Sequence, residues 1–528
     1  MKLNTIAIML LSLALLPLRL QAQEEIAFEK GGCTPDINEE SVQAENHASP
    51  SRRKLQEANL QWDANKTYKQ LVILFSYSDM DFMEEHTREF YDKIFNEPGY
   101  NSMKGAGCVA DYFREQSNGL FNVQFDVFGP YQVDYEARIY AADASTKNYS
   151  VNAMKAAVNK LKAEYPNWDY TQYDWNGDNK VEQVIFIAAG YSGNQDSKSY
   201  GYIWPNTSSF NNIQMPGGVI ISDYTASAER WMDDSSAGIG TICHEYSHSL
   251  GLPDIYPTDG TSQAYSICDE WDLMDGGNFT NYGWCPPNYT AQEKLYLNWL
   301  NPIELTEPTA ITGMKPVSEG GDIYIIKHTD NEYYLLENRQ WSGWDLGLPG
   351  KGLLITHVDF NANVWTRNKV NNEDGHPRFD IVHADNLDYT QWNTIQPRTT
   401  AQWAAKDDRM HNKHLSTSSY PWVDEAKSIV NRALTDTSTP AATMYNANVQ
   451  GLKLLGKSIT NIQMADDGTI SFNFMMDEVD AVEDILTDGD TIVGWCALNG
   501  QQLNAQPVQS GVYIAIYKDG TKRKVFLR

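Results

Sequence analysis

The residue types and spacings that could do chemistry are concentrated in one run, HEYSHSLGLPD, which starts at His244. On a helix, His244 and His248 lie one turn apart on the same face, so both imidazoles can reach a single ion. Glu245 stands beside the first histidine, where its carboxylate can polarise a water on the metal without binding the metal. Gly251 can adopt the left-handed conformation that ends a helix, so Asp254 can return as a third ligand. Three protein ligands with an open position are typical of catalytic zinc and not of structural zinc.

A second motif follows the zinc run, in the segment WDLMDGG that starts at Trp271, and predicts a tight turn with Met274 at its centre. Zinc peptidases of the metzincin type carry such a methionine turn after an extended zinc motif, where it forms an apolar floor under the metal. A methionine alone would be interpreted as an ordinary core residue. Its position after the zinc motif is what favours the functional interpretation.

Oxygen-bearing side chains alternate along an upstream segment and predict a calcium site. The candidate ligands are Asp174, Asn176, Asp178, the backbone carbonyl of Lys180, and Glu182. The first three match the opening positions of a calcium loop, and Asn179 stands at the turning position where glycine is usual. Ile185 occupies the twelfth position, so the closing glutamate of an EF-hand is missing and Glu182 would serve instead. An Asx-rich turn leading into a strand is the competing interpretation.

Composition indicates an exported globular protein. The chain has 528 residues, of which 41% are hydrophobic, enough for a large core and for two or three domains. Residues Met1 to Ala22 fit a secretory signal peptide, with a positive Lys2, an apolar stretch and a small residue before cleavage. The apolar stretch is too short to span a membrane comfortably. We therefore expect a secreted or cell-surface protein without membrane insertion.

The net charge argues against certain classes of partner, and the cysteine content argues against a fold built on disulfide bonds. Lys and Arg total 41 against 69 Asp and Glu, a net charge of −28, which would repel nucleic acid and anionic membranes. Six cysteines are too few for a disulfide framework in a chain this long. Cys268 and Cys285 bracket the methionine turn, and either a disulfide between them or two free buried thiols fits the sequence.

Periodicity and capping signals predict the helices and strands that position the zinc run. Ser235 or Ser236 can cap a helix from about residue 237 to Leu250, which carries both histidines. Around it we predict buried or half-exposed strands at 70–75, 121–128 and 184–189, and helices at 87–96, 109–116, 154–164 and 290–300. Beyond Pro308 the pattern becomes mostly β, with strands at 323–327, 333–337, 353–358, 379–383 and 469–475.

Several of these segments, in order, resemble the immune inhibitor A family of secreted bacterial zinc metallopeptidases, which is metzincin-like. The similar segments are 71–75 with Asp79, 109–119, the calcium-like loop, the zinc run, Met274, 287–299 and 334–339, so the resemblance covers roughly residues 68–475. It implies that His244, His248 and Asp254 bind zinc and that Glu245 is the general base. Gly276 stands where a tyrosine would follow Met274, which leaves Tyr282 as only a weak candidate for oxyanion stabilisation.

The predicted fold class is α+β, with a metzincin-like zinc peptidase domain followed by a mostly β domain and a small C-terminal β unit. The segments are a signal peptide (1–22), a leader or propeptide (23–66), the catalytic domain (67–305), a β-rich domain (306–477) and a small β unit (478–528). The last unit resembles sorting domains of type IX secretion, although a β appendage without that role fits nearly as well. In the leader, Cys33 loosely resembles a propeptide thiol switch, but no arginine precedes it, and a lone mobile cysteine is the simpler interpretation.

The sequence thus predicts a secreted zinc metalloendopeptidase acting on protein or peptide substrates, with Zn2+ as cofactor and Ca2+ as a candidate second ion. The alternative is an exported surface protein in which a non-catalytic metal site supports a β region that binds protein or glycan. A structural zinc site requires a fourth protein ligand. Cys243 is the neighbouring candidate, but it should lie on the side of the helix opposite the two histidines. The peptidase interpretation is therefore favoured.

Overall fold

A computed structural model of the chain describes the following residues: 62–101, 105–138, 149–195, 201–259, 267–388, 391, 415–424, 426, 429–476, 492–497, 501–503, 505–507, 511–517 and 522–527. The predicted signal peptide, most of the predicted leader with Cys33, and parts of the C-terminal unit lie outside these residues. No helix among the described residues is long and apolar enough to cross a membrane.

The first half of the chain is organised around a five-stranded sheet with the order β2-β1-β3-β5-β4. Its strands are β1 (Thr67–Ser76), β2 (Asn122–Gln132), β3 (Val184–Tyr191), β4 (Asn206–Gln214) and β5 (Ile220–Arg230). β1 pairs in parallel with β2 and β3, β3 pairs in parallel with β5, and β4 is an antiparallel edge strand. β1 and β3 consist mostly of fully buried apolar residues, as expected for central strands covered on both faces.

Helices connect and cover this sheet. They are α1 (Arg88–Asn96), α2 (Val109–Gln116), α3 (Tyr149–Glu164), α4 (Gly240–Leu250) and α5 (Ala291–Tyr296). α1 begins after Thr87, whose side chain accepts the Phe90 N–H, and α5 begins after Thr290, which forms a capping box with Glu293. The predicted elements of this half are confirmed, apart from shifts at some ends.

The predicted start of the zinc helix and the predicted end of α5 were wrong. The serines do not cap α4, which begins at Gly240, because the preceding residues pair elsewhere: Ser236 forms a bridge with Arg230, and the Ile239 N–H bonds to the Gly283 carbonyl. α5 ends at Tyr296, four residues before the predicted end at residue 300, because Asn298 turns left-handed (φ 57°) and reverses the chain.

The second half is mostly β, as predicted. A five-stranded sheet has the order β11-β10-β9-β8-β6, and β14, β15 and β7 form a separate three-stranded sheet. The bounds are β6 (Ile303–Glu304), β7 (Thr309–Met314), β8 (Tyr324–Lys327), β9 (Glu332–Arg339), β10 (Gly352–Asp359), α6 (Ala362–Thr366), β11 (Phe379–Ile381), β12 (Trp422–Asp424), β13 (Ile429–Asn431), β14 (Ile459–Met464) and β15 (Ile470–Phe474). Near the C-terminus, β16 (Ile492–Ala497), β17 (Gln502–Leu503), β18 (Gly511–Tyr517) and β19 (Lys522–Leu527) form a four-stranded sheet.

One apolar core extends through both halves. It includes Tyr246 on α4 and Met274 from the first half, together with Leu335 on β9 and Trp365 on α6 from the second. Arg339 on β9 is also fully buried and binds the Asp345 carboxylate and the Asn288 carbonyl. The mixed character of the α+β prediction is confirmed, and the two halves share an interior.

Of the two alternatives for Cys268 and Cys285, a disulfide or two free buried thiols, the structure has the second. Cys268 and Cys285 are both buried and unbridged. The Cys285 thiol instead points to the Trp344 carbonyl at 3.4 Å. Among the described residues, Cys108, Cys243 and Cys496 are free as well.

Candidate metal centre

The zinc helix α4 is buried over its whole length, and its end turns the chain back toward the histidines. Gly251 has φ 113°, and its N–H bonds to the His248 carbonyl at 3.1 Å. The Leu252 N–H bonds to the Ser247 carbonyl at 3.1 Å, which completes a left-handed helix end. Glycine reaches this conformation without steric cost, so the reversal follows from the residue type at this position.

The reversal brings Asp254 against both histidines. Its Oδ1 lies 3.3 Å from Nε2 of His244 and 3.0 Å from Nε2 of His248. Ligand atoms about 2.0 Å from a tetrahedral zinc lie roughly 3.3 Å from one another. The spacing of these donor atoms therefore fits a zinc ion.

The hydrogen bonds of the rings determine which nitrogens face Asp254. Nδ1 of His244 lies 2.8 Å from the Leu273 carbonyl, and Nδ1 of His248 lies 2.8 Å from the Leu252 carbonyl. A carbonyl can only accept, so each Nδ1 carries a proton, and a neutral ring then holds its lone pair on Nε2. Two lone pairs and a carboxylate oxygen converge at short range, an arrangement that a cation between them would stabilise.

The Asp254 carboxyl is held in the ionised form that a metal ligand requires. Burial alone would raise its pKa, but without a metal, when the imidazoles carry a proton on Nε2, the attraction of His248 and hydrogen bonds from both histidines hold the pKa well below its ordinary value. Oδ2 of the same carboxylate is 2.6 Å from Nδ2 of Asn368. Only Oδ1 therefore faces the histidines.

Glu245 is positioned beside the ligands by contacts of its backbone with the sheet. Its carboxylate and the ligand atoms of His244 and His248 all lie within 4.8 Å of one another. Its carbonyl accepts the hydroxyls of Thr207 on β4 and Thr225 on β5, at 2.5 and 3.4 Å. Glu245 is also buried, so its carboxylate operates where water is restricted.

The methionine turn lies directly against the zinc run. Met274 is fully buried, and its carbonyl accepts the N–H of Ile255, the residue after the third candidate ligand. Oδ1 of Asp272 accepts the Met274 N–H at 2.7 Å and fixes the turn. Since the neighbouring Leu273 carbonyl accepts from His244, the turn contacts both the first and the third candidate ligand segments.

The calcium-like loop has a different geometry. Asp174 accepts the N–H groups of Gly177, Asp178 and Asn179, and Glu182 accepts those of Trp175 and Asn176. Burial, with repulsion from the two aspartates, raises the pKa of Glu182 to about 8. Among the described residues, the acidic side chains of this loop do not form a converging group such as that of His244, Glu245 and His248. Calcium at this loop stays a prediction.

The spacing of the zinc run predicts a grouping that the structure has, while sequence reasoning missed Asn368. It lies in the β-rich half, between the predicted strands at 353–358 and 379–383. The Asn-Asn pair at Asn371 and Asn372 nearby is an ordinary turn signal that does not identify a partner. Tyr282 is partly buried and packs against the shared core, and its role stays a prediction.

Comparison with known proteins bears directly on this centre. Residues 196–300 match the immune inhibitor A peptidase M6 catalytic domain. The matched segment contains α4, Asp254 and the methionine turn. The resemblance to the immune inhibitor A family is confirmed for this part of the chain.

Three curated relatives are similar to this chain over longer stretches, and two of them are named as peptidases. Immune inhibitor A of Bacillus thuringiensis subsp. alesti is 26% identical, over 49% of this chain and 43% of the relative. The pre-pro-metalloprotease PrtV of Vibrio cholerae serotype O1 (strain M66-2) is 23% identical, over 46% of this chain and 31% of the relative. A putative secreted metallopeptidase of Arthroderma benhamiae is 23% identical over 37% of this chain. The chain spans less than half the length of the first two of these relatives.

Proposed function

We propose that this chain is a secreted zinc-dependent endopeptidase that hydrolyses peptide bonds in proteins. The observation that carries the proposal is the convergence of two imidazole Nε2 atoms and one carboxylate oxygen beside a buried glutamate. The description of the matching peptidase M6 domain and the names of two relatives, a metalloprotease and a metallopeptidase, support the same activity. Protein or peptide substrates are the proposed partners, and the predicted signal peptide supports export.

In this proposal, His244, His248 and Asp254 hold the zinc ion. When bound, zinc lowers the pKa of a coordinated water toward neutrality and polarises the scissile carbonyl. Glu245 accepts the proton of the attacking water on its carboxylate and then delivers it to the leaving amine. The backbone bonds of Glu245 to β4 and β5 keep its carboxylate in place between these two proton transfers.

We assign the remaining parts of the chain as further proposals. Residues 67–305 form the metzincin-like catalytic domain, 306–477 the β-rich domain and 478–528 the small β unit. Asp174, Asn176, Asp178, Lys180 and Glu182 form the candidate Ca2+ site. It would require Asp174 and Glu182 to exchange some of their present backbone hydrogen bonds for the ion.

The proposed activity can be tested with casein and the purified protein. We expect casein degradation to stop after treatment with a zinc chelator and to return after addition of Zn2+. A peptide library analysed by mass spectrometry should contain internal cuts, as an endopeptidase produces. Stoichiometric zinc without any peptide cleavage would instead support the surface-binding alternative, and absence of zinc from carefully prepared protein would contradict both.

A further inference from the structure

A buried asparagine from the β-rich half holds the third candidate metal ligand. Oδ1 of Asn368 accepts the Asp254 backbone N–H at 2.6 Å, and its Nδ2 donates to Asp254 Oδ2 at 2.6 Å. A backbone N–H requires an acceptor and an ionised carboxylate requires a donor, so the two contacts determine the orientation of the amide. Asn368 thus fixes both the backbone and the carboxylate of the same residue.

The conformation of Asn368 follows from its place after a short helix. α6 has Asn361 as its N-cap, and its Trp365 is buried in the shared core. Asn368 follows with φ 57°, a left-handed conformation that asparagine tolerates better than most residues. Its N–H bonds to the Trp365 carbonyl, so the asparagine is anchored to a residue of the core.

Further contacts hold the two segments together on either side of Asn368. The Asn368 carbonyl accepts the Thr258 hydroxyl at 2.6 Å, and Oδ1 of Asn372 accepts the Thr258 N–H at 2.8 Å. Nδ2 of Asn371 donates to the Ile255 carbonyl at 2.8 Å. These three contacts are made with Ile255 and Thr258, whereas the side-chain amide of Asn368 is the group that contacts the Asp254 carboxylate.

We propose that Asn368 is a positioning residue that directs Oδ1 of Asp254 to the metal, so that the β-rich half completes the metal centre. This inference rests on the proposed zinc site. With Oδ2 occupied by the amide, the carboxylate offers a single oxygen toward the two Nε2 atoms. Groups that orient a ligand in this way typically change metal affinity by about 10- to 100-fold when they are removed.

The test measures zinc affinity by competition with a chromophoric chelator, on the full chain. The main variant is Asn368→Gly, which keeps the left-handed backbone and removes the amide, and the second is Asn368→Asp, which keeps the size and loses the donor. Asn372→Ala is the matched control, because it removes contacts with Thr258 and none with Asp254. Asn386→Gly controls for an asparagine-to-glycine change at another left-handed position, φ 59°.

We expect both Asn368 variants to bind zinc about 10- to 100-fold more weakly, and both controls to stay within about threefold of the parent protein. Cobalt-substituted protein should also change its visible spectrum in the Asn368 variants, because the spectrum reports ligand geometry. Thermal unfolding of the metal-free proteins identifies any variant that has failed to fold. If Asn368→Gly does not fold and Asn368→Asp does, the zinc affinity of Asn368→Asp is compared with that of the parent protein.

Equal affinity in the parent protein and in Asn368→Gly would overturn the inference. An equal loss in Asn372→Ala would overturn it too, since general packing of the 254–258 segment would then be responsible. If the parent protein itself binds no zinc, the proposed function fails, which is a different result.

Discussion

The imidazole Nδ1 of His244 donates to the carbonyl oxygen of Leu273 at 2.8 Å. This bond joins the zinc helix to the methionine turn and makes Nε2 the nitrogen that faces the proposed metal position. It also gives the turn a role beyond an apolar floor, because the residue before Met274 orients a candidate ligand. The methionine turn and the zinc run therefore form one structural unit.

Replacing Glu245 by glutamine should separate metal binding from proton transfer. Glutamine keeps the shape of the side chain but cannot take a proton, so Glu245→Gln should bind zinc normally and lose at least about 100-fold in peptide hydrolysis. Metal binding is measured as the zinc content of the purified protein, and hydrolysis as the rate of cleavage of a fluorogenic peptide. The exposed Glu319→Gln change is the control, and a fully active Glu245→Gln protein would contradict the mechanism.

Gly251→Ala should weaken both the fold and the metal centre. At φ 113° a Cβ is strained, which should lower the free energy of unfolding by about 1–3 kcal/mol in a denaturant titration. Because Gly251 turns the chain toward Asp254, zinc affinity should fall as well. Gly320→Ala places a similar strain (φ 74°) at an exposed turn with open space around it. Gly320→Ala should therefore lose stability but keep the zinc affinity of the parent protein. If Gly251→Ala also keeps that affinity, the prediction fails.

The calcium proposal makes a pH-dependent prediction through Glu182. Its pKa in the folded protein is about 8, above the ordinary 4.5, so the folded state holds the extra proton between these values. The contribution of the protonated Glu182 carboxyl to the free energy of unfolding is therefore greatest below about pH 4.5 and is lost as the pH rises through 8. Without calcium, the melting temperature of the parent protein relative to Glu182→Gln should fall as the pH rises from 5 to 9.

Calcium should reverse this loss because the ion replaces the proton. The calcium-dependent rise in melting temperature should be larger at pH 8 than at pH 5, and Asp178→Ala should abolish it. If calcium changes the melting temperature at neither pH, the segment is an Asx-rich turn and binds no ion.

The cysteines should react as separate thiols once the protein is unfolded. Burial raises the pKa of Cys285 to about 12, so alkylation of the native protein should be slow at neutral pH. In denaturant without reductant, peptide mapping should find Cys268 and Cys285 both alkylated. Prior reduction should leave their labelling unchanged, and a peptide pair linked through these residues would disprove the free-thiol assignment.

The sequence predicted features that depend on local spacing. The grouping of His244 with His248 follows from helical periodicity, and Gly251 marks the end of the same helix. The strand at β1 was predictable because a continuous apolar run is typical of a central strand. Each of these signals is contained within about a dozen neighbouring residues.

The features that the sequence did not predict depend on distant contacts. α4 begins later than its capping signals suggest, because Ile239 bonds to Gly283 and Ser236 pairs with the end of β5. Asn368 reaches Asp254 across 114 residues of chain, and nothing in its own neighbourhood indicates that partner. Tertiary hydrogen bonds such as these override local preference, and one sequence does not reveal them.

The shared interior has a consequence for the proposed secreted enzyme when it meets other proteases. The stretch joining the two halves is exposed at residues 306–308, between strands β6 and β7, so a protease can cut the chain there. Buried residues from both halves pack in one core, and Arg339 and Asn368 bind across it. Such a nick should yield two bands on a denaturing gel and a single particle by gel filtration, with the active centre intact.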